Sequence, residues 1–166
     1  MNSPLEPLEA IVAGTLRSRG ATLAVAESCT GGLLAKMLTD VPGASAFFRG
    51  GAVTYATDAK TAILGVPEEL IARFGVVSPE CAEAMARGAA EKFRADFALS
   101  TTGVAGPGGG TAETPVGTVF IGLRTPAGAR ATRFSATGAT RAEIRAEAVL
   151  AALALLAEAL GTHREG

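Results

Sequence analysis

Ser28, Cys29 and Thr30 stand together in the run Ala26-Glu27-Ser28-Cys29-Thr30-Gly31-Gly32. The apolar Leu23-Ala24-Val25-Ala26 precedes them and the periodic Leu33-Leu34-Ala35-Lys36-Met37-Leu38 follows, an order that reads as strand, tight turn, helix. Such a turn exposes a hydroxyl or thiol and offers free backbone N–H groups at a helix start, a setting for nucleophiles and anions. Ser28, directly after the strand, takes the more exposed place; Cys29 is close behind, and local sequence alone separates them narrowly. A nucleophile also needs a base. The single histidine, His163, sits in the polar tail Gly161-Thr162-His163-Arg164-Glu165-Gly166, so a Ser-His-Asp triad or a Cys-His dyad would require that tail to fold back. Lys60 is the remaining candidate, because a lysine against an apolar wall sheds its charge readily and a neutral amine can take the proton of Ser28 Oγ. Tyr55, at the expected end of a strand, can hydrogen-bond either partner or relay a proton. The backbone N–H groups of Thr30, Gly31 and Gly32 are the matching oxyanion or phosphate donors.

Taken singly, each residue has a plainer reading: Ser28 as a helix cap, Lys60 as a solvated side chain, Tyr55 and Cys29 as packing. Two further segments make the constellation. Gly106-Pro107-Gly108-Gly109-Gly110-Thr111 fails the G-x-G-x-x-G pattern at Thr111 and lacks the Lys-Ser/Thr pair of a P-loop. It remains a loop that reaches positive φ and lets backbone approach a ligand, and it follows a strand ending in Thr101 and Thr102. Arg141 and Arg145 lie one helical turn apart at the start of the last helix, where a guanidinium pair favours a bound anion. The plainer alternative pairs them with Glu143 or Glu147.

These segments need a scaffold, and the hydrophobic pattern supplies one. A helix is expected over Leu5–Arg19, a strand over Thr22–Ala26, and a helix from the Ser-Cys-Thr-Gly-Gly turn to Thr39. A second strand covers Gly50–Tyr55, followed by short helices from Thr57 and over Pro67–Phe74. Ser78-Pro79-Glu80 opens a helix to Arg94. A third strand, Phe97–Gly103, leads into the glycine loop. Two more, Gly117–Leu123 and Arg130–Ser135, form a hairpin around Thr125-Pro126-Ala127-Gly128. The last helix runs from Arg141 to Leu160, with Thr140 and Glu143 as a capping box. Helices alternating with three strands and then a hairpin predict one α/β domain with a mixed sheet, helices on both faces. Parallel strands carry their functional loops at their C-terminal ends, so the three loops are expected on one edge.

Composition bounds the function. A chain of 166 residues with 48% hydrophobic and 19% charged residues can bury a core of its own. A formal net charge of −1 gives no general attraction to nucleic acid or anionic membrane. No apolar run reaches the roughly 18 residues of a membrane span, and the start lacks the order of a signal peptide, so a cytoplasmic protein is expected. Two cysteines make no disulfide framework, and one histidine cannot build a His-rich metal site.

Together Ala26-Glu27-Ser28-Cys29-Thr30-Gly31-Gly32, Val53-Thr54-Tyr55-x4-Lys60, Thr102-Gly103-Val104-Ala105-Gly106-Pro107-Gly108-Gly109-Gly110, Thr114-Pro115-Val116-Gly117-Thr118-Val119 and Arg141-x2-Ile144-Arg145 resemble the CinA C-terminal domain family, the nicotinamide-mononucleotide deamidases (PncC). The resemblance runs from about Leu8 to Leu160. It implies a three-layer α/β/α sandwich with a five-stranded, mixed and mostly parallel sheet. It also implies an amidohydrolase of pyridine nucleotide salvage, needing no cofactor or metal. The nucleophile of the family falls on Ser28, which separates it from Cys29, and the base falls on Lys60 with Tyr55 nearby. Its substrate contacts fall on Thr30, Gly31, Gly32, Thr102, Gly103, Gly106, Gly108 and Gly109, and on Arg141 and Arg145. Self-association into a homo-oligomer is implied as well, and many relatives carry a larger N-terminal domain for which this chain has no room. The alternative is a non-catalytic nucleotide-binding module acting through a protein partner in competence or DNA-damage responses.

Overall fold

In the computed structural model, which describes residues 6–162, strand β1 (Leu23–Glu27) is buried along its whole length and divides the core in two. Successive side chains of a strand point to opposite faces. Leu23 and Val25 therefore join one apolar cluster, while Ala24 and Ala26 join another. The first cluster is closed by helices α1 (Leu8–Ser18), α2 (Leu33–Thr39) and α6 (Arg141–Ala159). The second is closed by α3 (Thr57–Leu64) and α5 (Pro79–Phe93), with α4 (Glu68–Phe74) packed beside them. A single 3-10 turn, Ala44–Ala46, precedes the second strand.

The other strands are β2 (Phe48–Val53), β3 (Phe97–Gly103), β4 (Thr118–Thr125) and β5 (Gly128–Ser135). Their order is β2-β1-β3-β4-β5. β1 pairs in parallel with β2 and β3, and β4 pairs antiparallel with β3 and β5, so β4 alone runs against the other four. The result is the expected three-layer α/β/α sandwich with a five-stranded mixed sheet. In register, Glu27 lies between Val53 and Thr101, so the loops after all three parallel strands begin side by side.

Several boundaries differ from the sequence reading. The expected helix start at Leu5 lies outside the described residues, and helical backbone begins at Leu8. β2 ends at Val53, leaving Tyr55 in a loop. This edge strand pairs only with β1, which stops at Glu27; after a last bond from the Thr54 N–H to the Glu27 carbonyl, β2 has no ladder partner left. The hairpin strands β4 and β5 extend further, because their pairing continues to Thr125 opposite Gly128. The capping box on α6 is present as read, with Thr140 and Glu143 exchanging hydrogen bonds. Among the described residues no helix is long and apolar enough to cross a membrane.

Candidate active site

The turn after β1 is shaped by its two glycines. Gly31 at φ +56° and Gly32 at φ +100° occupy the left-handed region that side chains disfavour. The Ser28 N–H donates to the Thr101 carbonyl (3.0 Å), and the Gly31 N–H donates back to the Ser28 carbonyl (3.0 Å). Ser28 does not cap a helix: α2 starts five residues later with Gly32 at its N-cap position, and no side chain of the cap residue bonds there. That task falls to Glu27, a buried residue on β1. Its carboxyl oxygens accept from the Thr30 hydroxyl (2.6 Å), the Leu34 N–H (2.9 Å) and the Ala35 N–H (3.1 Å).

Lys60 projects from the first turn of α3 and is only 1% exposed. Its Nζ lies 2.7 Å from the Thr54 carbonyl, 3.1 Å from Ser28 Oγ and 3.5 Å from the Tyr55 carbonyl. Burial pushes its pKa below the ordinary lysine value, outweighing an opposite pull from the nearby Cys81 and Cys29 thiols. A neutral amine has two N–H donors and one lone pair. The two carbonyls take the donors, which leaves the lone pair for the Ser28 hydroxyl proton. Cys29 behaves oppositely: burial pushes its thiol up to about 11, so near neutral pH it is protonated and a poor nucleophile. Of the two, it is the Ser28 side chain that lies within hydrogen-bond distance of the Lys60 amine.

A pocket of about 280 Å³ opens over this pair. Ser28, Cys29, Lys60 and Tyr55 form one side, and Thr102, Gly103, Val104, Ala105, Gly106, Gly108 and Gly109 form another, with Val76, Val77 and Arg141 completing the wall. Glycine is needed at Gly103, where a Cβ would stand 2.5 Å from the Thr118 carbonyl, and at Gly106, where φ is +76° and a Cβ would meet Val116 at 2.5 Å. Arg141 Nη1 donates to the Gly106 carbonyl (2.7 Å) and Nη2 to the Tyr55 hydroxyl, tying the glycine loop to the segment after β2 at the pocket mouth. Larger grooves of about 420 and 440 Å³ lie along α4 and its neighbours, but neither sets a nucleophile beside a base.

Ten of the residues singled out in the sequence thus line one pocket: Ser28, Cys29, Lys60, Tyr55, Thr102, Gly103, Gly106, Gly108, Gly109 and Arg141. Four stand off its wall. Thr30 is buried, its hydroxyl shared between Glu27 and Thr101. Gly31 and Gly32 shape the turn, and Arg145 donates to the carbonyls of Cys29 (3.1 Å) and Thr30 (2.8 Å). Tyr55 is placed otherwise than the relay reading has it, since its hydroxyl meets Arg141 and only its main-chain carbonyl approaches Lys60. The hydroxyl of Thr102 is committed to the Val76 carbonyl (2.7 Å). His163 lies outside the described residues. Sequence reasoning missed Glu27 and the Thr54 carbonyl; a carboxyl ending an otherwise apolar strand was the available signal for the first. Among the described residues, no three His, Cys, Asp or Glu side chains cluster as a metal site would require.

Known proteins share this arrangement of chain. A CinA-like protein from Desulfotalea psychrophila is 56% identical over 140 residues, 84% of this chain and 34% of that protein. One from Geobacter metallireducens is 49% identical over 158 residues, 95% of this chain and 38% of that protein. The chain therefore spans about a third of the length of these curated relatives. Among solved structures, a CinA superfamily protein from Klebsiella pneumoniae has a TM-score of 0.89 at 37% identity, covering 94% of this chain and 97% of that one. The competence/damage inducible protein CihA from Agrobacterium tumefaciens has a TM-score of 0.85 at 40% identity, covering 97% of this chain and 100% of that one. The sequence model of the CinA C-terminal domain matches residues 5–160, which takes in all five strands, the turn at Ser28 and the helix carrying both arginines, and the chain belongs to that family.

Proposed function

We propose that this chain is an amidohydrolase that converts nicotinamide mononucleotide and water to nicotinate mononucleotide and ammonia. The observation that carries hydrolysis is the buried contact between Lys60 Nζ and Ser28 Oγ at 3.1 Å, inside a pocket rather than on the surface. The substrate comes from the family resemblance, and the pocket is compatible with it: a guanidinium and a phenol stand at the mouth, where a phosphate would lie if the ring enters first.

In the reaction, Lys60 takes the proton of Ser28 as Oγ attacks the carboxamide carbon. The oxyanion faces backbone N–H of the residue after the nucleophile, Cys29. Lys60 returns the proton to the leaving nitrogen, ammonia departs, and an ester remains on Ser28. Water attacks this ester with Lys60 again accepting a proton, the C–Oγ bond breaks, and the serine regains its hydrogen. The wild-type protein should release ammonia from the nucleotide, and Ser28→Ala or Lys60→Ala should each lower that rate by about a thousandfold or more while leaving the circular dichroism spectrum unchanged. Free nicotinamide and glutamine serve as comparison amides. Tight nucleotide binding without turnover would favour the binding-module reading instead.

A further inference from the structure

Arg145 is the only one of the two helix-start arginines that reaches the nucleophile turn, and it reaches carbonyls, not the pocket. A trans peptide points its C=O and the following N–H in opposite directions. Nη2 on the Thr30 carbonyl thus fixes the Thr30–Gly31 peptide, whose N–H donates to the Ser28 carbonyl. That bond fixes the Ser28–Cys29 peptide in turn, whose N–H belongs to Cys29 on the pocket wall. Nε on the Cys29 carbonyl pins the next peptide as well. The positive charge, two peptide units and the Cys29 N–H therefore lie head to tail, an order in which each hydrogen bond polarises the next. A Cβ on Gly31 would stand 3.2 Å from Nη2, close enough that the guanidinium would have to shift by a few tenths of an ångström.

We infer that Arg145 is a positioning residue that aims and polarises the Cys29 N–H toward the oxyanion through two peptide units, without touching substrate. This rests on Ser28 acting as nucleophile in acyl transfer, and two readouts keep the inference separable from the proposed substrate. One is steady-state ammonia release from nicotinamide mononucleotide. The other is the rate at which a fluorophosphonate labels Ser28, read by mass spectrometry; Oγ displaces fluoride from phosphorus and its proton passes to Lys60. Arg145→Lys and Arg145→Ala should lower kcat by about 10- to 100-fold, less than or comparable to loss of an oxyanion donor, with KM within about twofold. Labelling should slow by a similar factor, and methylguanidine should restore part of both rates in Arg145→Ala. A raised KM with unchanged kcat and labelling would assign the guanidinium to substrate and overturn the inference, as would variants labelled as fast as wild type. Loss of both rates that follows loss of folded protein, without methylguanidine rescue, also overturns it. If wild type is labelled at Ser28 yet releases no ammonia, the labelling arm still decides the role of Arg145 while the nucleotide substrate is abandoned. If wild type is not labelled at Ser28, both readings fall.

Discussion

An amine 2.7 Å from one carbonyl and 3.1 Å from a hydroxyl, with almost no solvent around it, gives up its proton more easily than a solvated lysine. Two consequences follow for Lys60, whose pKa is lowered by burial. In the proposed reaction it serves as a base only when neutral, so kcat/KM should rise with pH through an inflection below 10.5, and a pH–rate profile measures it. For stability the sign is set by proton counting. Below the folded-state pKa both states carry the charge and burying it costs the most; above 10.5 both are neutral and the cost is gone. Between the two the unfolded chain binds more protons, so stability rises with pH. Lys60→Met should therefore melt higher than wild type near neutral pH, by about 2–4 °C for each kcal/mol relieved, with the difference closing as pH approaches 10 in thermal scans.

At the scale of the element, the short helix α2 depends on a side chain from the preceding strand. Glu27 accepts three hydrogen bonds, from Thr30, Leu34 and Ala35, and is itself buried. Glu27→Ala should leave the Leu34 and Ala35 N–H groups unpaired, with Thr30 keeping Thr101 as its partner, and cost about 2–4 kcal/mol in denaturant unfolding. This residue shows where sequence reading stops. The turn, the strand before it and the lysine were legible because their signals are local: a glycine pair, an apolar run, a lone base candidate. Glu27 was not, because its partners lie seven and eight residues on and around a bend that no periodicity describes. Arg145 was read as an anion ligand for the same reason, since its spacing from Arg141 fixes a helix face but not what packs against that face. The end of β2 was misplaced by the strand-forming residues of Thr54-Tyr55; the length of the neighbouring strand, not their propensity, ends the ladder.

For the whole molecule, the spacing between layers is set by residues with little or no side chain. Gly122 on β4 faces α5, and a Cβ there would stand 2.2 Å from the Ala82 carbonyl and 2.3 Å from Ser100 Oγ. Gly122→Ala should cost about 1–3 kcal/mol or more in equilibrium unfolding, because helix and sheet must separate to admit a methyl group. On the opposite face α6 fills the core with Ile144, Val149, Leu153 and Leu156 while its first two turns supply Arg141 and Arg145. That double duty has a temporal side. Ser28 and Lys60 leave the ribosome long before α6, so a nascent chain holds the proposed nucleophile and base well before it holds the guanidinium that grips the carbonyls of Cys29 and Thr30. On the proposed reading, docking of the last helix is then the step that brings the site to its full rate.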